Sequence, residues 1–63
     1  MDVPIAERLV KARGTKTRKT ASEELGISYR SMTAYEQGWR RPSDKVKRKL
    51  AEYYGMSIQE LFY

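Results

Sequence analysis

The sequence predicts an all-α fold of five short helices, and three observations lead to this prediction. Apolar residues recur three or four positions apart rather than alternating. Four glycines each follow such a stretch, and a hydroxyl residue stands shortly after each glycine. Glycine closes a helix in the left-handed conformation, and a serine or threonine side chain caps the next one. The predicted helices span roughly 3–13, 18–25, 29–37, 44–54 and 58–62.

Helix ends are marked in the same way along the whole chain. The paired stop and start residues are Gly14 with Thr17, Gly26 with Ser28, Gly38 with Ser43, and Gly55 with Ser57. Ser57 and Glu60 also have the spacing of a capping box. Pro42 falls in the loop before the fourth helix, where its missing N–H removes no helical hydrogen bond. The chain therefore reads as one domain, residues 1–63, with no repeat or linker.

Each predicted helix contributes apolar positions to a common core. These are Ile5, Leu9 and Ala12; Ala21 and Leu25; Met32 and Tyr35; Val46, Leu50, Tyr53 and Tyr54; and Ile58 with Leu61. Ile27, in the turn, is expected to hold the second helix against the third. The core is thin for a domain of this size, so we expect marginal stability.

Charge and composition restrict the possible functions. Thirteen Lys and Arg against eight Asp and Glu give a net charge of +5, which favours a polyanionic partner. The chain has no cysteine and no histidine, so we expect no thiolate nucleophile, no metal site, no cofactor and no enzymatic activity. No apolar run reaches the roughly 20 residues of a membrane span, and we expect a cytoplasmic protein.

The segment 18–38 is predicted to form two short helices joined by a tight glycine turn, a helix-turn-helix motif. Its second helix offers only Met32 and Tyr35 as large apolar anchors. A helix with so few core residues has another surface available for a partner. The major groove of DNA is wide enough to admit such a helix.

Taken together, these segments resemble the Cro/cI-type (XRE-like) phage-repressor helix-turn-helix family, whose fold is a compact five-helix lambda-repressor-like domain. The resemblance covers residues 5–62 and rests on IAERLVKAR at 5–13, LGIS at 25–28, MTAYEQG at 32–38, RPS at 41–43 and LAEYYGMSI at 50–58. It implies a structural salt bridge between Arg13 and Glu36. The chain departs from the family in a shorter first connection, in Arg18 where glutamine is usual, and in Ala21-Ser22 where Leu-Ala is usual.

The third helix carries the candidate base-contacting residues: Tyr29, Arg30, Thr33 and Ala34. Arg30 could form the bidentate pair with guanine, against the alternative of a solvated side chain or a phosphate contact. Tyr29 could touch a thymine methyl or a phosphate, or could pack against the second helix. Ala34 offers only a methyl group, so specificity would also depend on DNA shape.

Candidate phosphate contacts surround this helix: Thr17, Arg18, Lys19, Ser28, Ser31, Gln37, Trp39, Arg40 and Arg41. The first three open the second helix, whose free amides and positive dipole end favour an anion. Because arginine replaces the family's usual bracing glutamine at position 18, we expect a charged phosphate contact there instead of a hydrogen-bonding brace. Trp39 could instead pack beneath Pro42.

We therefore expect a sequence-specific regulator of transcription that acts by occupying double-stranded DNA, as a weak homodimer and without a small-molecule ligand. A repressor, an activator that contacts polymerase and an antitoxin could all use this scaffold, and the sequence leaves the choice between them open. The tail 61–63 and the loop around Pro42 are the candidate dimer patch, with a core role for Leu61 and Phe62 as the alternative. A protein-interaction module without DNA binding is the other functional class, and salt-dependent binding to duplex DNA separates it from the regulator.

Overall fold

The chain folds into five helices, as seen in a computed structural model that describes residues 5–63. They are α1 (Ile5–Arg13), α2 (Arg18–Leu25), α3 (Tyr29–Gln37), α4 (Asp44–Tyr54) and α5 (Ile58–Phe62). No strand occurs within 5–63. The all-α, five-helix prediction is confirmed. Residues 3 and 4, the predicted start of the first helix, lie outside the described residues.

Side-chain caps begin four of the helices. The hydroxyls of Thr17, Ser28, Ser43 and Ser57 each accept a hydrogen bond from the backbone N–H three residues later. At α5 the Glu60 carboxylate also accepts from the Ser57 N–H at 3.0 Å, which completes the predicted capping box. These bonds satisfy first-turn amides that have no partner inside a helix, which explains why helices of five to eleven residues begin where they do.

The turn between α2 and α3 fixes the motif at residues 26–28. Gly26 has φ of +74°, a conformation that a residue with a Cβ atom rarely adopts. The Gly26 N–H donates to the Glu23 carbonyl at 3.2 Å, and the Ile27 N–H donates to the Ser22 carbonyl at 3.1 Å. These two bonds close the last turn of α2. Ser28 then caps α3, so three residues connect the two helices.

The core lies at the meeting point of all five helices. Leu9, Met32, Leu50 and Leu61 come from four different helices and are fully buried, and Leu25 adds the contribution of α2. Helix α3 packs against both α1 and α2, and α5 packs against α1 and α4. Helix α3 is thus held by two neighbours, while Tyr29 and Arg30 at its start are exposed.

The C-terminal tail belongs largely to this core. Leu61 is fully buried and Phe62 is 4% exposed, whereas Tyr63 projects into solvent. Pro42, in the loop before α4, is also buried. Of the two interpretations offered by the sequence, the structure supports the core role for Leu61 and Phe62, which leaves Tyr63 as the exposed member of the tail.

Candidate nucleic-acid interface

Helix α3 has a buried side and an exposed start. Met32 and Tyr35 face the core, as the sequence predicts. Tyr29 is 53% exposed and Arg30 is exposed beside it, so the first turn presents a large ring and a guanidinium to solvent. Thr33, one turn further on, is partly buried. Tyr29 and Arg30 are therefore exposed at the start of α3, and Gln37 is exposed at its end.

Ala34 lies on the packed side of α3 and is only 9% exposed. Its carbonyl accepts hydrogen bonds from the N–H groups of Trp39 at 2.9 Å and Arg40 at 3.3 Å, so the chain leaving the helix folds back beside it. Little of the Ala34 methyl group is left for a contact with a base. Of the four candidate base-contacting residues, the structure therefore exposes Tyr29 and Arg30, partly buries Thr33 and covers Ala34.

The hydroxyl groups at the starts of α2 and α3 are already used as caps. Thr17 Oγ1 accepts from the Thr20 N–H at 3.1 Å, and Ser28 Oγ accepts from the Ser31 N–H at 3.0 Å. Both capping residues are exposed, as is Lys19 in the first turn of α2. The remaining first-turn amides carry partial positive charge, so these two helix ends are suited to an anion.

One buried carboxylate joins three helices. Arg13 Nε, at the end of α1, donates to Glu36 Oε2 at 2.9 Å, and Arg18 Nε, at the start of α2, donates to Glu36 Oε1 at 2.9 Å. The Glu36 side chain has no exposed surface, while those of Arg13 and Arg18 are 16% and 23% exposed. Arg13 Nη1 also donates to the Lys16 carbonyl at 2.6 Å. This hydrogen bond restrains the short connection between α1 and α2.

Arg18 contacts α3 at a second point as well. Its Nη1 lies 3.5 Å from Thr33 Oγ1. The hydrogen bond to the Glu36 carboxylate is the main reason that the pKa of Arg18 lies above its usual value, and the Tyr29 hydroxyl acts in the same direction. The structure thus places this candidate phosphate contact in an internal ion pair beside the exposed end of α3.

The loop after α3 brings several candidate phosphate contacts together. Arg40 Nη2 donates to Ser31 Oγ at 2.9 Å and to the Tyr35 hydroxyl at 3.2 Å, and its guanidinium lies 5.2 Å from the centre of the Tyr35 ring. Gln37 and Arg41 are exposed. Trp39 is 74% exposed, which does not support its packing beneath Pro42.

The structure also contains a polar cluster that the sequence does not predict. Lys16 Nζ donates to Glu24 Oε1 at 2.7 Å and to the Tyr53 hydroxyl at 2.9 Å, and the Tyr53 hydroxyl in turn donates to Glu24. The three residues come from the first connection, α2 and α4, up to 37 positions apart. No local sequence signal marks such a contact, because helical periodicity relates only residues within a few turns.

Comparisons with known proteins agree with this architecture. A family profile described as "Helix-turn-helix" matches residues 5–61. The chain belongs to this helix-turn-helix family. It is also 33% identical over 46 residues, 73% of this chain and 70% of the relative, to an uncharacterized HTH-type transcriptional regulator of Methanocaldococcus jannaschii. No solved structure gives a significant match.

Family membership confirms the predicted helix-turn-helix resemblance and supports the DNA-binding and transcription-regulation parts of the functional prediction. In the terms of that family, α2 and α3 form the motif and α3 is its second helix. Among the helices within 5–63, none combines the length and apolar character that a membrane-spanning helix requires.

Proposed function

We propose that this helix-turn-helix chain is a transcriptional regulator that binds double-stranded DNA at specific sequences and acts by occupying its operator. The observation that carries the proposal is the exposed first turn of α3, where Tyr29 and Arg30 project from a helix held at its other end by α1 and α2. In this motif the N-terminal residues of the second helix contact base edges. The net charge of +5 supports a polyanionic partner. The proposed role in transcription also supports a cytoplasmic location for the protein.

Arg30 is the main candidate for reading a base. Its exposed guanidinium can donate two parallel hydrogen bonds to O6 and N7 of guanine in the major groove. Tyr29 can place its ring against a thymine methyl, and the Thr33 hydroxyl can reach a base from one turn behind. Ala34 is left out of the proposed contacts because its methyl group is covered.

Phosphate contacts are proposed at the two helix starts on either side of the reading residues. Thr17 and Lys19 open α2, and Ser28 opens α3 with Ser31 in its first turn. Backbone amides and the positive end of each helix dipole attract a phosphate, and the exposed Lys19 adds a full charge.

The loop after α3 supplies a second group of proposed phosphate contacts: Gln37, Trp39, Arg40 and Arg41. All four residues are exposed. Arg40 bonds Ser31 and stacks on Tyr35, so its charge is held close to the first turn of α3. A guanidinium already ordered in this way loses less side-chain entropy when it binds a phosphate.

We also propose that DNA is bound by a weak homodimer, because a twofold pair places two α3 helices in successive major grooves. The exposed apolar side chain that supports such a contact is Tyr63, which belongs to the tail 61–63 of the candidate dimer patch.

Selection of bound sequences from a random duplex pool, followed by affinity measurements at several salt concentrations, tests the proposal. We expect an enriched sequence and an affinity that falls with salt by about 0.9 log units per log unit for each phosphate contact. Failure to enrich any sequence, together with salt-independent binding, would contradict it and favour the alternative of a protein-interaction module or an antitoxin.

A further inference from the structure

Arg18 is placed where its side chain joins α2 to the exposed part of α3. It is the first residue of α2, and its guanidinium lies against α3 rather than extending away from the protein. Nε donates to Glu36 Oε1 at 2.9 Å, and Nη1 lies 3.5 Å from Thr33 Oγ1. Only 23% of the side chain is exposed. Arg18 thus bridges two turns of α3.

Thr33 and Glu36, the two residues that Arg18 contacts, lie on one stripe of α3 that also carries Tyr29. Tyr29, Thr33 and Glu36 are four and three positions apart, which places them on the same side of a helix. Two of them, Tyr29 and Thr33, are proposed base contacts, and the third is the buried carboxylate that anchors the far end of the helix. A shift of the Arg18 guanidinium would therefore move the reading residues relative to α2.

Electrostatics favour this internal position for Arg18. A positive charge in the first turn of a helix is opposed by the helix dipole, and α2 has no acidic residue there. Glu36, contributed by α3, supplies the negative charge instead. Moving the Arg18 guanidinium away from the fully buried Glu36 carboxylate would cost free energy, because the carboxylate would lose one of its two cationic partners.

We infer that Arg18 is a positioning residue that determines sequence specificity by fixing the reading side of α3 against α2, and that it does not serve as a phosphate contact. The inference rests on the proposed function, since it concerns how the same α3 surface reads DNA. Sequence is read by contacts to base edges, whereas phosphate contacts carry no sequence information directly, so a displaced α3 should lower discrimination more than binding to random duplex.

The test compares Arg18→Met with Lys19→Met, two neighbouring substitutions that remove the same charge. Methionine is chosen because it cannot hydrogen-bond Thr33 or Glu36, whereas glutamine, the usual family residue at position 18, could still brace α3. Affinities for the enriched duplex and for random duplex are measured across a salt series. We expect Arg18→Met to weaken binding to the enriched duplex by about 5-fold to 150-fold, the value of one misplaced base contact. Binding to random duplex and the salt slope should stay close to wild type. Lys19→Met should weaken both duplexes alike and reduce the slope by about 0.9.

Arg18→Lys provides a second, independent test if circular dichroism shows that Arg18→Met does not fold. Lysine keeps the charge but lacks the planar fork that reaches Glu36 and Thr33 together. A positioning role therefore predicts lost discrimination in Arg18→Lys, and a phosphate contact predicts retained discrimination. Equal losses on both duplexes with a reduced slope in Arg18→Met, or full discrimination in Arg18→Lys, would overturn the inference alone. A wild-type protein that selects no sequence would overturn the proposed function and this inference together.

Discussion

Replacing Glu36 with glutamine tests the ion pairs that connect α1, α2 and α3. The wild-type carboxylate is fully buried and neutralises two guanidinium groups at 2.9 Å each. Glutamine has nearly the same shape, and its amide oxygen can accept one of the two hydrogen bonds. Its amide nitrogen, however, faces the second guanidinium with donor against donor, and both positive charges lose their counter-ion.

The expected loss is large relative to the stability of so small a domain. Removing one partner of a buried ion pair costs about 3–5 kcal/mol, and the hydrogen bond retained by glutamine places this substitution near the lower value. At roughly 0.05–0.15 kcal/mol per residue, 63 residues give a total free energy of unfolding of about 3–9 kcal/mol. A loss of about 3 kcal/mol would lower Tm by about 12–24 °C.

Thermal unfolding followed by circular dichroism at neutral pH measures this loss. The matched control is Glu52→Gln, which removes the same charge from an exposed position on α4. We expect the control to stay within about 0.5 kcal/mol of wild type, as surface substitutions usually do. If Glu36→Gln melts at the temperature of Glu52→Gln, the shared carboxylate does not hold the three helices together.

Three further predictions concern stability. Tyr54→Phe should leave the free energy of unfolding unchanged or raise it by up to about 1 kcal/mol in urea titrations, because the buried Tyr54 hydroxyl has no hydrogen-bond partner within residues 5–63. A decrease of more than about 1 kcal/mol would show that this hydroxyl has a partner. The Lys16 and Tyr53 hydrogen bonds lower the pKa of Glu24, so this carboxylate stabilises the fold above its unfolded pKa of about 4.3, and the stabilisation is lost as pH falls through its lower folded value. The Tm difference between wild type and Glu24→Gln should accordingly be present at pH 7 and shrink below about pH 4.3; a constant difference would contradict the contact. Leu25→Ala should cost about 2–5 kcal/mol and leave much of the protein unfolded at 25 °C by circular dichroism, and a Tm near wild type would show that the core assignment is wrong.

The helices could be predicted because their ends are encoded locally. A glycine that closes one helix and a hydroxyl residue that caps the next act within three or four positions, so Gly26 and Ser28 mark the turn without reference to the rest of the chain. Periodicity likewise identified Met32 and Tyr35 as the buried residues of α3. Both signals depend on one helix at a time.

The partners of charged side chains could not be predicted in the same way. The sequence suggests a phosphate as the partner of Arg18, and only the packing of α2 on α3 brings Glu36 within hydrogen-bond distance. The contact of Lys16 with Tyr53 requires the first connection to lie beside α4. The tail posed the same difficulty, since the apolar residues Leu61 and Phe62 suit a core as well as a dimer interface until α5 is placed.

Arg30→Ala tests most directly whether the exposed first turn of α3 reads DNA sequence. Affinities for the enriched duplex and for random duplex are compared with those of Arg48→Ala, which removes an exposed arginine from α4. We predict that Arg30→Ala weakens binding to the enriched duplex by about 1–3 kcal/mol and changes binding to random duplex little, while Arg48→Ala preserves the ratio between the two. Equal losses of Arg30→Ala on both duplexes would show that this arginine touches only the backbone and would contradict the account.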